Sequence, residues 1–187
     1  MKVLQINAVY NLSSTGRTTT ELHLAMLNKG IDSYVAYSKT NKPGDARLYH
    51  IGSPLDVKLH GLFSRISGEQ AYFSHIATKK LIKHIDAVSP DVVHLRNLHG
   101  NYINFPMLMD YPAKKDIAVV VTFHDFWFIT GKCVHFTESR CDKWQYGCGN
   151  CPNLNDGNPT WFFDRTEKLL RDKTELFGKI NRLALIG

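Results

Sequence analysis

Short, almost wholly apolar runs alternate along this chain with amphipathic helical stretches, and that alternation restricts the fold more than any other feature. Residues 2–6, 33–37, 49–52, 91–95, 117–123 and 183–186 read as strands. Val92-Val93 and Val119-Val120-Val121 lack the polar alternation of a half-solvated sheet, so both of their faces must be covered. Residues 17–28, 56–66, 74–88, 104–111 and 164–177 carry helical patterns between the strands, with Leu81, Ile82, Ile85 and Val88 forming the clearest stripe. Gly30 stops the first helix and Ser89-Pro90 ends the third. Repeated strand–helix–strand units of this kind predict an α/β fold, a Rossmann-like doubly wound domain with a mostly parallel sheet.

The 187 residues suit one domain, 1–187, large enough to bury a real core. The chain stops on Gly187, directly after a strand, where a helix or linker is expected, so it reads as half of something larger. Residues 2–7 are too short and too soon polar for a signal peptide, and no apolar run nears the roughly 20 residues of a bilayer span. The expectation is a cytoplasmic protein. A formal charge of +6 suits an anionic partner. The chain has no zinc-finger helix, RNP-like strand or dense Lys/Arg run, which argues against nucleic acid. Residues 55–65 and 79–84 mix apolar positions with Lys, His and Arg. The first reading is ordinary helices packed on the sheet by their apolar stripes. The second is a peripheral contact with the inner membrane face.

Three clusters carry candidate chemistry. After the first strand, Ser13-Ser14-Thr15-Gly16-Arg17 leads into a helix whose free N–H groups would attract phosphate, though a plain strand–helix turn with a Ser or Thr cap is the simpler reading of those residues alone. The G-x-G-x-x-G fingerprint is missing, which disfavours a nucleotide-dependent oxidoreductase. The second cluster, residues 94–102, ends another strand with His94, Arg96, Asn97, His99 and Asn101, donors and acceptors suited to hydroxyl-rich ligands or to a hydrogen-bonded turn. The third is the sharpest. His124-Asp125 closes an apolar strand, where an imidazole beside a carboxylate can act as acid, base or donor.

A loop at about residues 124–163 follows, holding every cysteine and tryptophan of the chain. A loop that long is functional, stapled or disordered, and its aromatic content opposes disorder. Cys148-Gly149-Asn150-Cys151 has the spacing of a zinc knuckle, with Cys133 and Cys141 to complete a tetrahedral site and His135 in reserve. A structural zinc ion is the preferred reading, set against free thiols and disulfides.

Strings within these clusters resemble a known family. HLRNLHGNYIN (94–104), TFHDFWFITGKC (122–133) and CDKWQYGCGNCP (141–152), followed by Phe162-Phe163-Asp164-Arg165, are similar to the N-terminal half of a GT-B-fold, family 4 type glycosyltransferase, in the subgroup related to colanic acid biosynthesis. Arg96 departs from that pattern, where a histidine is expected. The resemblance implies a retaining, hexosyl-type transferase. It would move sugar from a nucleotide-sugar to a glycan or lipid-linked acceptor in cell-envelope polysaccharide synthesis, without a catalytic metal. This domain would hold the acceptor, and a C-terminal donor-binding domain would be absent from the chain, leaving it inactive alone. By position, Gly16 and Arg17 would face the donor phosphates, and His124 and Asp125 would serve catalysis. Asn97, His99, Tyr102 and Trp127 would line the acceptor side. The competing reading is a non-catalytic, zinc-stapled module that binds carbohydrate or protein.

Overall fold

A computed structural model describes residues 1–41 and 44–187. Among these residues, six strands form one sheet in the order β3-β2-β1-β4-β5-β6, and each pairing is parallel. They are β1 (Lys2–Tyr10), β2 (Asp32–Thr40), β3 (Leu48–His50), β4 (Val92–Leu95), β5 (Ala118–Thr122) and β6 (Leu183–Ile186). The helices are α1 (Ser13–Asn28), α2 (Pro54–Ser67), α3 (His75–Val88), α4 (Phe105–Lys115) and α5 (Thr166–Gly178). The Rossmann-like expectation is met: the order reverses between β1 and β4, the point where open α/β sheets place their ligands. No helix among the described residues is long and apolar enough to cross a membrane.

Buried Leu4, Ile6, Val93, Leu95, Val119 and Val121 form the middle of the sheet and join one core with Leu81 and Ile85 of α3 and Leu108 and Met109 of α4. β1 runs four residues beyond the expected 2–6 because Val9 and Tyr10 pair with Lys39 and Thr40 and the Tyr10 ring stacks on Tyr37. Asn7, polar in the middle of that strand, is fully buried. Its Nδ2 donates to Val9 O and Thr19 Oγ1, which removes the penalty of burial. α4 continues through Pro112 instead of ending before it. That proline is buried, and Lys114 and Lys115 sit favourably in the last turn.

The two amphipathic helices behave oppositely. α3 buries Ala77, Leu81, Ile85 and Val88 against the sheet, as its stripe suggests. α2 buries His60, Gly61 and Ser64 instead, packs Val57 against the core, and turns Leu55, Leu59, Leu62, Phe63 and Ile66 to solvent. For α2, packing on the sheet by the apolar stripe is therefore the wrong reading. The helix is held by its ends and its polar face. Ser53 and Asp56 form a reciprocal capping box, Gly68 closes the helix in the left-handed conformation, and His60 Nδ1 lies 2.7 Å from Ser74 Oγ.

Candidate active site

The tips of β1, β4 and β5 converge at the carboxyl edge of the sheet. Asn7 organises the first junction: its Oδ1 accepts from Asn97 N at 3.1 Å, while Ala8 N donates to Asn97 O. Tyr102 adds its hydroxyl to the same Asn97 carbonyl at 2.8 Å. Three groups thus fix the backbone of Asn97, and its side chain turns to His99. Arg96 turns inward. Its guanidinium is buried, with Nη2 donating to Thr18 Oγ1 at 2.9 Å and Nη1 to Gln5 Oε1, which ties the end of β4 to α1 and β1.

His99 and Asp125 bridge the tips of β4 and β5. His99 Nε2 stands 2.9 Å from Asp125 Oδ2 and 2.9 Å from Asn97 Nδ2. The other carboxylate oxygen, Oδ1, accepts from Trp127 N at 2.9 Å. Burial opposes the charge on Asp125. The His99 hydrogen bond, the Trp127 N–H and the charges of His99 and His135 outweigh it, and together hold the pKa below the usual carboxylate range. His124 stands beside this pair, half-buried. Burial and the Arg96 guanidinium lower its pKa, against an opposing pull from Asp125, so the ring is neutral near pH 7. Its Nε2 is buried with no hydrogen-bond partner among the described residues.

Two concavities meet at His99. One, of about 230 Å³, lies at the reversal point of the sheet between Ala8, Val9, Ser13, Thr15, Ser38, Lys39 and Asn97. The other, of about 710 Å³, is lined by Lys132, His135, Glu138, Ser139, Asn153 and Asn158 of the long loop. Asn97, His99 and Asp125 are therefore brought together as expected. Gly16 is buried where α1 meets β1: a Cβ there would lie 3.2 Å from Asn11 N and from a Val9 methyl. Arg17 is exposed near the start of α1, where its Nε donates to Ser13 O at 3.4 Å. Ser38, Lys39 and Asn158 also reach the clefts, yet nothing local in their sequence marks them.

Tyr102 and Trp127 are placed differently from the acceptor-lining role expected of them. Each is only 1% exposed and belongs to the core. Tyr102 positions Asn97. Trp127 donates its indole N–H to Gln70 Oε1 at 2.7 Å, and its main-chain N–H orients Asp125. Replacing Tyr102 with Phe is expected to cost roughly 1 kcal/mol of stability, the value of one hydrogen bond. Denaturant unfolding checks this, and a fall much above roughly 1 kcal/mol would mean more than one bond is lost.

The cysteine loop is stapled, but not as its spacing suggests. The four cysteines carry free thiols and line one narrow cavity with Phe136 and Trp144. Among the described residues no group of three or more His, Cys, Asp or Glu side chains is set to hold a metal ion, so the zinc reading for Cys133, Cys141, Cys148 and Cys151 finds no support. Lysines do the work. Lys173 of α5 is fully buried and donates to the carbonyls of Trp127, Thr130 and Gly131 at 2.6, 2.8 and 3.1 Å, with its Nζ over the Trp127 ring. Burial pushes its pKa down to about 7, against the pull of Cys148, Asp125 and Cys133. Lys132 holds the carbonyls of Leu154 and Asn158, and Lys143 those of Gly149 and Asn150.

A Rossmann-like domain with polar strand tips around a cleft at the reversal point is a frame for small-molecule or sugar chemistry. Residues 15–150 match the family described as Glycosyltransferase Family 4, and the chain belongs to that family. It is 28% identical over 195 residues to the putative colanic acid biosynthesis glycosyl transferase WcaC of Escherichia coli (strain K12), covering 95% of this chain and 45% of that protein. The chain thus spans a little under half the length of this relative. Among solved structures, the glycosyltransferase VinC in complex with dTDP is similar at 15% identity and a TM-score of 0.37, over 65% of this chain and 34% of that one. The UDP-GlcNAc 2-epimerase of Methanocaldococcus jannaschii is similar at 14% identity and a TM-score of 0.43, over 100% and 45%. Likenesses this distant carry no weight for function.

Proposed function

We propose that this domain is the acceptor-side half of a retaining, hexosyl-type glycosyltransferase. It would act on the cytoplasmic side of the cell envelope, passing sugar from a nucleotide-sugar to a glycan or lipid-linked acceptor in polysaccharide synthesis. The observation that carries the reading is the Asn97–His99–Asp125 bridge between two strand tips, flanked by a neutral His124 whose Nε2 is unpartnered. Neutral imidazole, amide and carboxylate suit sugar hydroxyls, which donate and accept at once. The larger cleft, rich in Ser, Asn, Glu and His, is the acceptor pocket, and the smaller one meets the donor.

In the reaction the bond from the sugar's anomeric carbon to the diphosphate oxygen breaks. The acceptor hydroxyl oxygen bonds to that carbon, its proton is lost, and a nucleoside diphosphate leaves. In this reading the Arg17 guanidinium and the first-turn N–H groups of α1, which carries no acidic residue there, would stabilise the departing charge. His124, neutral, hydrogen-bonds the transferred sugar, while Asp125 orients it or the acceptor. In this reading a second Rossmann-like lobe supplies most of the donor site, so residues 1–187 alone bind acceptor without turning over.

The test is acceptor-dependent release of nucleoside diphosphate by the complete two-lobed polypeptide across a panel of nucleotide-sugars, with the anomeric configuration of the product read by NMR. Transfer with retention supports the reading. Failure across the panel with envelope glycan and lipid-linked acceptors overturns it, and robust turnover by residues 1–187 alone overturns the division of labour.

A further inference from the structure

We infer that the outward face of α2, together with the Trp161–Phe163 ridge, is a docking surface for an anionic lipid bilayer. The helix is amphipathic in the reverse sense for a packed helix. Leu55, Leu59, Leu62, Phe63 and Ile66 fall on one stripe at helical spacing, all exposed, with Leu55 at 64%. His60, Gly61 and Ser64 face the protein. Leaving five large apolar side chains in water on one helix forgoes several kcal/mol of burial, at roughly 1.5–3 kcal/mol for each side chain fully buried, so the stripe calls for an apolar neighbour.

The patch does not end with the helix. Trp161 N donates to Arg65 O at 2.8 Å, and the Phe163 carbonyl packs on Gly68 so closely that a Cβ there would lie 2.2 Å from it. These contacts set Trp161 and Phe162, 54% and 69% exposed, beside the last turn of α2. Both are side chains that settle at the boundary between headgroups and acyl chains.

Charge selects the occupant. Lys58 and Arg65 are the cations of α2, and Arg165 lies over the Phe163 ring at the other end of the patch. The neighbouring carboxylates are all engaged. Asp56 accepts from Ser53 N and Oγ, Glu69 pairs with Lys168 at 3.3 Å, and Asp164 accepts from Cys151 N and Thr166. Asp56 and Asp164 accept from neutral donors and keep their charge, so Lys58, Arg65 and Arg165 leave this face with a small cationic excess that a second copy would not complement. An anionic leaflet offers hydrocarbon to the stripe and phosphates to Lys58, Arg65 and Arg165. The formal charge of +6 favours the same approach.

The surface also lies next to the chemistry. Gly61 packs against Asn101, two residues beyond His99, so docking through α2 would hold the acceptor cleft near the headgroups. Lipid binding itself does not depend on the sugar-transfer reading and is measured separately.

The experiment is flotation of the complete protein with vesicles of phosphatidylcholine alone and of phosphatidylcholine with phosphatidylglycerol, at low and high salt. Association with the anionic vesicles that weakens with salt is expected. The double variant Leu62→Glu/Phe63→Glu should lower it by about tenfold or more, and Lys58→Glu/Arg65→Glu should remove its salt dependence. All four side chains are solvent-facing or half-exposed, so the variants should fold, and circular dichroism confirms this. Absence of association at low salt, or association that ignores the Leu62/Phe63 change, overturns the proposal. So does a dimer or a lobe–lobe contact that the same change disrupts while vesicles stay unbound.

Discussion

Replacing His124 with alanine in the complete enzyme is expected to lower kcat for sugar transfer by about 10²-fold, the usual loss when one well-placed hydrogen-bonding group is removed from a transition state. The donor KM should change far less. His124 is only half-buried and its Nε2 bonds to nothing among the described residues, so the loss would not come from a broken internal contact. His124→Gln separates two roles for the ring. Burial and Arg96 keep the imidazole neutral, and an amide is also a neutral donor. If the ring works as a hydrogen-bond donor, glutamine should recover part of the rate; if it works as a base, glutamine should be as poor as alanine. Asp125→Asn should also cost about 10²-fold, by releasing His99 and weakening its hold on substrate. An alanine variant within a few-fold of wild type would remove His124 from the mechanism.

The strand tips that frame this site were readable because β4 and β5 are built mainly of apolar residues and then give way to polar ones, so the change itself marks the carboxyl edge. Direction and depth were not readable. The α2 periodicity defines an apolar face and leaves open whether it points in or out. The outcome depends on a capping box, a serine bonded to His60 and the backbone at Gly68, none of which the stripe encodes. Tyr102 and Trp127 sit among polar neighbours and look like ligand residues, yet burial makes them supports for Asn97 and Asp125. Ser38 and Lys39 reach the cleft only because β2 pairs with β1, a contact no local pattern announces. Lysine is the residue least expected inside, so Lys173 beneath the loop was invisible while the cysteines drew attention to zinc.

Acidification should be far more damaging to this fold than its carboxylates alone would make it. His60 and His94 are both buried, and desolvation is the main cause that pushes each pKa from 6.5 down to about 4, with His75 adding to the effect at His60 and Arg96 and His124 at His94. A base whose folded pKa lies below its unfolded value binds its proton first in the unfolded chain. The stability that these two rings govern is therefore intact above pH 6.5 and drains away as the pH falls from 6.5 towards 4. Each ring accounts for about 3 kcal/mol over that interval. The sum approaches the whole stability of an ordinary domain, about 5–15 kcal/mol. Depressed carboxylates such as Asp125, Asp164 and Asp172 act lower, because their contribution is lost only below the ordinary aspartate value of 3.8. The window above pH 4 thus belongs to the histidines. Urea unfolding at a series of pH values should give a midpoint that drops steeply through it, and His94→Gln should flatten the curve while lowering the neutral-pH plateau. Thr122 Oγ1 then loses its 2.8 Å partner, which is the source of that lower plateau. A midpoint that holds constant from neutral pH to about 4.5 would mean that both rings find protons, water or a carboxylate within the native fold.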